Sequence, residues 1–161
     1  MSVKRPNLLF VFSDQQAFDM LGCAGNPQIK TPNLDAFARQ GVRFEHAVAN
    51  CPVCTPCRSM LLSGRHPLHN NCFDNDRRLM DQDEIGPGLG HVLRDAGYRM
   101  GYVGKWHLYG GERDRPVPSG PDRHGFDHCF LSNNCDLNYH PDHCFFWTED
   151  GRKERFGQWE A

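Results

Sequence analysis

The feature of this sequence that most restricts its fold is a short apolar run, Asn7 to Phe12, followed directly by Ser13 and Asp14. A continuous apolar run of this length is typical of a strand buried on both faces, as in a parallel sheet. In open α/β sheets, ligands bind beyond the carboxyl ends of the strands. The run therefore predicts a buried parallel strand, and it places Asp14 where a binding site is expected.

The segments that follow alternate between helical spacing and short apolar stretches, which is typical of α/β folds. Proline just inside a helix start and glycine just after its end mark the limits of a helix. The predicted elements are a helix from Thr31-Pro32 to Gly41, a short strand or extended segment at Val42–Val48, helices at Pro56–Ser63 and Leu89–Ala96, and a strand at Arg99–Val103.

Length and charge narrow the class of protein. A chain of 161 residues has the length of one domain. Its net charge is −2, and a nucleic-acid-binding protein usually shows a basic patch, so we expect no nucleic-acid partner. No apolar run approaches the ~20 residues of a membrane span, and no signal peptide is visible, so we expect a cytoplasmic protein that does not enter the membrane. The eight cysteines are then interpreted as reduced thiols.

The most specific motif is Cys54-Thr55-Pro56-Cys57-Arg58, continued by Gly64-Arg65, which gives the pattern C-x-P-x-R-x5-G-R. A proline just inside a helix start puts Cys54 at the N-terminal end of that helix. Backbone N–H groups and the helix dipole favour anions there. Arg58 lies one turn further on and could reach back to an oxyanion. The motif thus predicts a cysteine beside an anion-binding helix end.

Two alternative roles for these cysteines stay open. Cys54 could be a small buried apolar residue. Cys51, Cys54 and Cys57 also form C-x2-C-x2-C, part of a ferredoxin cluster run, although Leu61 stands where that run needs its fourth cysteine.

A second motif, Gly104-Lys105-Trp106-His107, follows directly after the last predicted strand. Lysine supplies a point charge for an anionic group, and histidine can move protons. Their i, i+2 spacing directs both side chains to one face if the chain stays extended. The alternative is a surface lysine and a packed histidine.

Taken together, the pentapeptide, the G-K-W-H segment and Asp14 resemble the sulfatase family over roughly residues 5–127. The resemblance implies an alkaline-phosphatase-like α/β/α sandwich, of which residues 1–161 form the N-terminal part. It also implies that a maturation enzyme oxidises Cys54 to formylglycine (3-oxoalanine). The expected reaction is hydrolysis of a sulfate monoester to an alcohol and sulfate.

The resemblance also assigns roles to individual residues. Cys54, as formylglycine, is the nucleophile and a metal ligand. Arg58 and Lys105 hold charge, and His107 hydrogen-bonds a formylglycine hydroxyl and moves protons. Asp14 binds a divalent cation, with Ca²⁺ as the first expectation and Mg²⁺ or Mn²⁺ as alternatives, since hard cations take oxygen ligands. No organic cofactor is expected.

Gln15 departs from the pair of aspartates found in many sulfatases. Asp14-Gln15 resembles instead the branch that includes choline sulfatases and phosphonate monoester hydrolases. A phosphate or phosphonate monoester hydrolase with the same site is therefore an alternative, as is a cysteine-rich metal-binding module.

The resemblance further implies partners: a sulfated small molecule or glycan as substrate, and a formylglycine-generating or anaerobic sulfatase-maturating enzyme. Because the family takes its other metal ligands from residues far downstream, we expect the 161-residue chain alone to be inactive.

Two regions carry weaker expectations. Asn75-Asp76 is expected in a loop that borders the pocket. The Cys- and His-rich stretch from His124 to Cys144 could bind zinc, but its spacing matches no standard site. Residues 128–161 are therefore predicted to be a variable, substrate-facing insertion.

Overall fold

The computed structural model describes residues 5–113, 115–132 and 145–155. The chain divides into two compact units, with the boundary between Val48 and Ala49. No helix among the described residues has both the length and the apolar character needed to cross a membrane.

The first unit is organised around one helix, α1, at Pro32–Gln40, preceded by a 3-10 helix at Gly22–Ala24. Thr31 occupies the N-cap position, but its hydroxyl accepts from the Gly22 amide (2.8 Å) and donates to Asp35 Oδ1 (2.8 Å). The Cys23 amide also donates to Asp35 (2.7 Å). The predicted helix is confirmed, and polar side chains of its first turn bind the 3-10 helix to it.

The strand predicted at Asn7–Phe12 is not formed, and of the two alternatives for Val42–Val48 the strand is not formed. Residues 5–13 and 42–48 contain no strand. Leu9 is 90% exposed and Val11 81%. The prediction of a buried strand at Asn7–Phe12 is therefore wrong for this structure. An apolar run becomes a buried strand only when neighbouring strands pair with its backbone and other layers cover its faces.

The second unit contains three helices: α2 at Cys54–Ser63, α3 at Gln82–Ile85 and α4 at Leu89–Asp95. The predicted helices at Pro56–Ser63 and Leu89–Ala96 are thus confirmed as α2 and α4. Gly64 ends α2 with a φ of 66°, in the left-handed region where glycine carries no Cβ penalty.

The second unit also contains a four-stranded sheet, in the order β1 (Gly101–Lys105), β2 (His128–Ser132), β3 (Phe145–Trp147) and β4 (Lys153–Arg155). β1 and β2 are parallel, with Val103 opposite Phe130, and the other two pairings are antiparallel. A 3-10 helix at Pro121–Arg123 lies on the connection from β1 to β2.

Sequence reasoning located β1 two residues too early and found none of the other three strands. β2 to β4 are three to five residues long and lie in the region predicted to be an insertion. Strands this short carry little periodicity of their own, and their pairing comes from the tertiary fold.

The core of the second unit is built around Trp106, which is fully buried. Its ring meets Tyr102 edge to face, with centroids 4.9 Å apart, and stacks on His124 at 6.0 Å. Gly90 is required at its position, because a Cβ there would lie 2.3 Å from the His124 carbonyl oxygen. The other buried apolar side chains of this core are Leu62, Cys72, Leu79, Leu108, Val117, Phe126, Cys129 and Leu131.

Candidate active site

Cys54 is the first residue of α2, and its sulfur lies beside a lysine. The Lys105 Nζ is 3.4 Å from the Cys54 Sγ. Val53, at the N-cap position, has an extended backbone, so the chain enters the helix at Cys54 from outside it. A half-buried thiol therefore stands where the positive end of the helix dipole and a lysine ammonium act on the same atom.

The position of Lys105 depends on hydrogen bonds to its own carbonyl group. Lys105 is the last residue of β1, and its carbonyl accepts from Arg58 Nη1 (2.8 Å) and the Tyr102 hydroxyl (2.7 Å). Arg58 is only 5% exposed. Through Nη1, Arg58 joins α2 to the end of β1, and its expected role in holding charge at an oxyanion stays a prediction.

The backbone turns sharply at His107, immediately after β1. His107 has a φ of 58°, a left-handed conformation that is unusual for a residue with a side chain. Its carbonyl accepts from the Thr55 hydroxyl (2.9 Å), while Trp106 and Leu108 on either side are buried in the core. Lys105 and His107 both reach the start of α2, Lys105 with its side chain and His107 with its carbonyl. The chain does not stay extended there, although the prediction from the i, i+2 spacing required it.

The imidazole of His107 is buried and held by a carboxylate. Its Nε2 lies 2.8 Å from Asp76 Oδ1. Its Nδ1 is buried and has no hydrogen-bond partner among the described residues. Burial lowers the pKa of His107 below its ordinary 6.5, against the opposing hydrogen bond to Asp76 and with the nearby charge of Lys105. The neutral ring is therefore the favoured form.

The loop that carries Asn75 and Asp76 covers the N-terminal end of α2. The Thr55 amide donates to Asn75 Oδ1 (3.0 Å), and the Asp76 amide donates to the Thr55 hydroxyl (3.3 Å). Arg113 Nη2 donates to Asp76 Oδ2 (2.7 Å), and this hydrogen bond is the main reason that the pKa of Asp76 lies below its usual value. The loop expected near the pocket thus contacts both the helix end and His107.

Three contributors to this arrangement were not found from the sequence. Thr55 lies inside the pentapeptide, and its position beside Cys54 was a usable signal. Tyr102 lies within the predicted last strand, but its contact with the Lys105 carbonyl follows from the turn after β1. Arg113 lies in a loop without any pattern, and nothing in the sequence points to it.

Two other cysteines of the second unit differ from Cys54 in their surroundings. Cys72 and Cys129 are buried, and burial raises the pKa of each thiol to about 11. Cys57 lies within α2. Within residues 5–113, 115–132 and 145–155, no three His, Cys, Asp or Glu side chains form a group that could hold a metal ion.

Two further sequence predictions concern the Cys- and His-rich stretch and Asp14. Most of the Cys- and His-rich stretch, residues 133–144, lies outside the described residues. Among its described residues, His124 is buried against Trp106, and burial lowers the pKa of His124 to about 4. Asp14 lies in the first unit, at a bend directly after the apolar run, and Gln15 next to it has a φ of 54°.

Comparison with known proteins gives a consistent result. The family model described as Sulfatase matches residues 6–154. The ulvan-active sulfatase of Formosa agariphila is 40% identical over 124 residues, which cover 77% of this chain and 24% of that protein. The human N-acetylgalactosamine-6-sulfatase is 37% identical over 140 residues, which cover 81% of this chain and 26% of that protein.

Solved structures agree with these relatives. The yidJ protein of Bacteroides fragilis superposes with a TM-score of 0.81 at 30% identity, covering 95% of this chain and 37% of the other. A protein solved in complex with its substrate D-glucosamine-2-N,6-O-disulfate gives 0.75 at 28% identity, covering 94% of this chain and 28% of the other. The chain thus spans about a quarter of the length of the curated relatives that it matches.

Proposed function

The chain belongs to the sulfatase family, with the alkaline-phosphatase-like α/β fold of its structural neighbours, and from this premise we propose that it carries the nucleophile of a site that hydrolyses sulfate monoesters. The observation that carries the proposal is the contact between Lys105 Nζ and Cys54 Sγ (3.4 Å) at the start of α2. A positive side chain and a helix N-terminus there act together on whatever anion binds beside Cys54.

The proposed nucleophile is the formylglycine made from Cys54. A thiol has little affinity for a sulfate ester, whereas a hydrated aldehyde offers two hydroxyl groups on one carbon. One hydroxyl oxygen attacks sulfur, the S–O bond to the alcohol breaks, and the alcohol leaves with a proton. The second hydroxyl then loses its proton and re-forms the aldehyde, which breaks the C–O bond to sulfate; water restores the diol.

Lys105 and His107 have distinct parts in this proposal. Lys105 stabilises the negative charge that grows on the sulfate oxygens, and this kind of stabilisation is commonly the largest single effect in catalysis. His107, buried and neutral, accepts and returns the protons of the diol. Arg58 holds the carbonyl of Lys105 and so fixes the point from which the ammonium extends.

A divalent cation would supply charge to the same sulfate oxygens, with Asp14 and the formylglycine of Cys54 as its proposed ligands from this chain and Ca²⁺ as its proposed identity. Two ligands fall short of the six or more oxygen atoms that Ca²⁺ takes. Because the described residues contain no further grouping of metal-binding side chains, they do not make up a complete cation site. The steps above are therefore derived without one.

The proposed substrate class is a sulfated glycan. The relatives and the structural neighbour support it through their own names, which refer to ulvan, N-acetylgalactosamine 6-sulfate and a disulfated glucosamine. The alternative is a phosphate or phosphonate monoester, favoured by Gln15 next to Asp14. Matched aryl sulfate and aryl phosphate esters would separate the two, because only the reacting group differs.

The test of the proposal is the chemical state of Cys54. A polypeptide that carries this segment at the family's full length would be expressed with a formylglycine-generating enzyme, and its Cys54 peptide analysed by mass spectrometry with aldehyde capture. We expect the aldehyde at Cys54 and sulfate release from an aryl sulfate. The matched controls are Cys57→Ala, which should keep both, and Cys54→Ala, which should lose both. Capture at Cys57 with Cys54 unmodified would refute the assignment.

A further inference from the structure

Asp76 lies where it can control the ring of His107. One of its carboxylate oxygens is 2.8 Å from His107 Nε2, and the other is 2.7 Å from Arg113 Nη2. Its backbone amide donates to the Thr55 hydroxyl, one residue from Cys54. The carboxylate is therefore fixed on both oxygens and through its backbone.

Asp76 and His107 both have an unusual backbone conformation. Asp76 and His107 have φ angles of 61° and 58°. Non-glycine residues in this region cost on the order of 1–3 kcal/mol each and persist only where their surroundings hold them. Here the Thr55 hydroxyl binds the backbone of both, as a donor to the His107 carbonyl and an acceptor from the Asp76 amide. Two strained residues, joined by one hydroxyl, face each other through their side chains.

The contact also decides which ring nitrogen carries the proton. An ionised carboxylate only accepts hydrogen bonds, so the nitrogen facing Asp76 must donate. The Arg113 hydrogen bond keeps the pKa of Asp76 below its usual range, and burial favours a neutral ring in His107. A neutral imidazole has one N–H, which leaves Nδ1 as the acceptor. That atom is buried and has no hydrogen-bond partner among the described residues.

We propose that Asp76 is a positioning residue: it holds His107 in the Nε2–H tautomer, which leaves the lone pair on Nδ1 as the basic site of the ring. Arg113 supports the carboxylate, because it donates hydrogen bonds to both oxygens of Asp76. The catalytic consequence rests on the sulfatase function proposed above, whereas the tautomer itself does not.

The first experiment reads the tautomer directly. The 161-residue chain would be labelled with ¹⁵N in its histidine rings, and the signals of His107 assigned by their loss in His107→Gln. At neutral pH we expect the wild-type ring to show a protonated Nε2 and an unprotonated Nδ1. Asp76→Asn should give a mixture of both tautomers, because an amide can donate or accept. Asp74→Asn, which removes an exposed carboxylate from the same loop, should leave the wild-type pattern.

The second experiment measures the consequence in a polypeptide that carries this segment at the family's full length. Asp76→Asn should lower kcat by ~10²–10⁴ with little change in KM, the range for loss of positioned acid–base catalysis. Asp76→Glu, which keeps a carboxylate, should recover part of the rate, and Arg113→Gln should retain the tautomer with a smaller loss.

The outcomes separate the two proposals. A fixed Nε2–H tautomer in Asp76→Asn, or a protonated Nδ1 in the wild type, would overturn the role given to Asp76. Loss of kcat in Asp76→Asn together with a mixed tautomer supports it. Absence of sulfate release from the wild type would refute the proposed function while leaving the tautomer result standing. Should Asp76→Asn fail to fold, Asp76→Ala gives the same decision, because it also removes the accepting carboxylate, and a fixed Nε2–H tautomer in that variant would overturn the role given to Asp76.

Discussion

Residues 5–48 and residues 49–132 both contain apolar segments and a helix marked by proline and glycine, but their apolar side chains differ in burial. None of residues 5–48 is fully buried, and Leu9 in its apolar run is 90% exposed. In the second region Leu79 and Trp106 are completely buried. An apolar pattern therefore indicates only which side chains can be buried. Whether they are buried depends on which other segments of the fold pack against them.

The largest expected effect tests this difference directly. Leu79→Ala should destabilise the protein by ~2–5 kcal/mol, because it removes a fully buried side chain and leaves a cavity. Leu9→Ala, the matched change in the first region, should stay within ~0.5 kcal/mol. Chemical denaturation of both variants gives the comparison. Equal losses would show that residues 5–13 are buried in solution.

The next effect concerns chemistry and not packing. In a polypeptide of the family's full length, Lys105→Ala should lower turnover of an aryl sulfate by ~10²–10³, the range for loss of one group that stabilises transition-state charge. Lys30→Ala, an exposed lysine of the first region, is the control and should leave turnover unchanged. Steady-state kinetics on both would decide. Near-normal turnover in Lys105→Ala would remove Lys105 from the site.

A third expectation is a dependence of stability on pH that comes from the second region. The pKa of His124 is about 4 in the folded protein against an ordinary 6.5, because the ring is buried. Between these values the unfolded chain binds more protons, so stability is fully present above pH 6.5 and falls towards pH 4. The loss from this residue is roughly 3 kcal/mol.

The lowered pKa values of His91 and His107 act in the same direction. Denaturation midpoints should therefore decrease as the pH is lowered from 6.5 to about 4, and this decrease should be smaller in His124→Asn. The same slope in wild type and variant would mean that His124 is not buried.

The smallest effect compares the glycines that end one helix in each region. Gly64 ends α2 with a φ of 66°, so Gly64→Ala should cost ~1–2 kcal/mol although no atom lies within 4 Å of the new Cβ. Gly41 ends α1 with a φ of −116°, which alanine adopts readily. Gly41→Ala should be neutral or stabilise by ~0.4–1 kcal/mol. Thermal unfolding of both variants measures the difference, and a stabilising Gly64→Ala would contradict the left-handed helix end.

Much of the local structure followed from the sequence because its causes are local. Pro32 and Gly41 mark the ends of α1, and Gly64 marks the end of α2, since proline and glycine act through their own backbone. The pentapeptide placed Cys54 at a helix start for the same reason. The identification of Lys105 beside it came from resemblance to the family and agrees with the 3.4 Å contact.

The sequence thus predicted three of the four α-helices among the described residues, the α/β class, the family and the cysteine at the start of α2, but not α3 at Gln82–Ile85. Only the tertiary structure decided that Arg58 binds the Lys105 carbonyl, that the chain turns at His107, and that Asp76 faces its ring. It also decided which apolar segments are buried. The contacts Asp76–His107, Arg58–Lys105 and Thr55–His107 join residues 31 to 52 positions apart, and no periodicity or local propensity encodes such a contact.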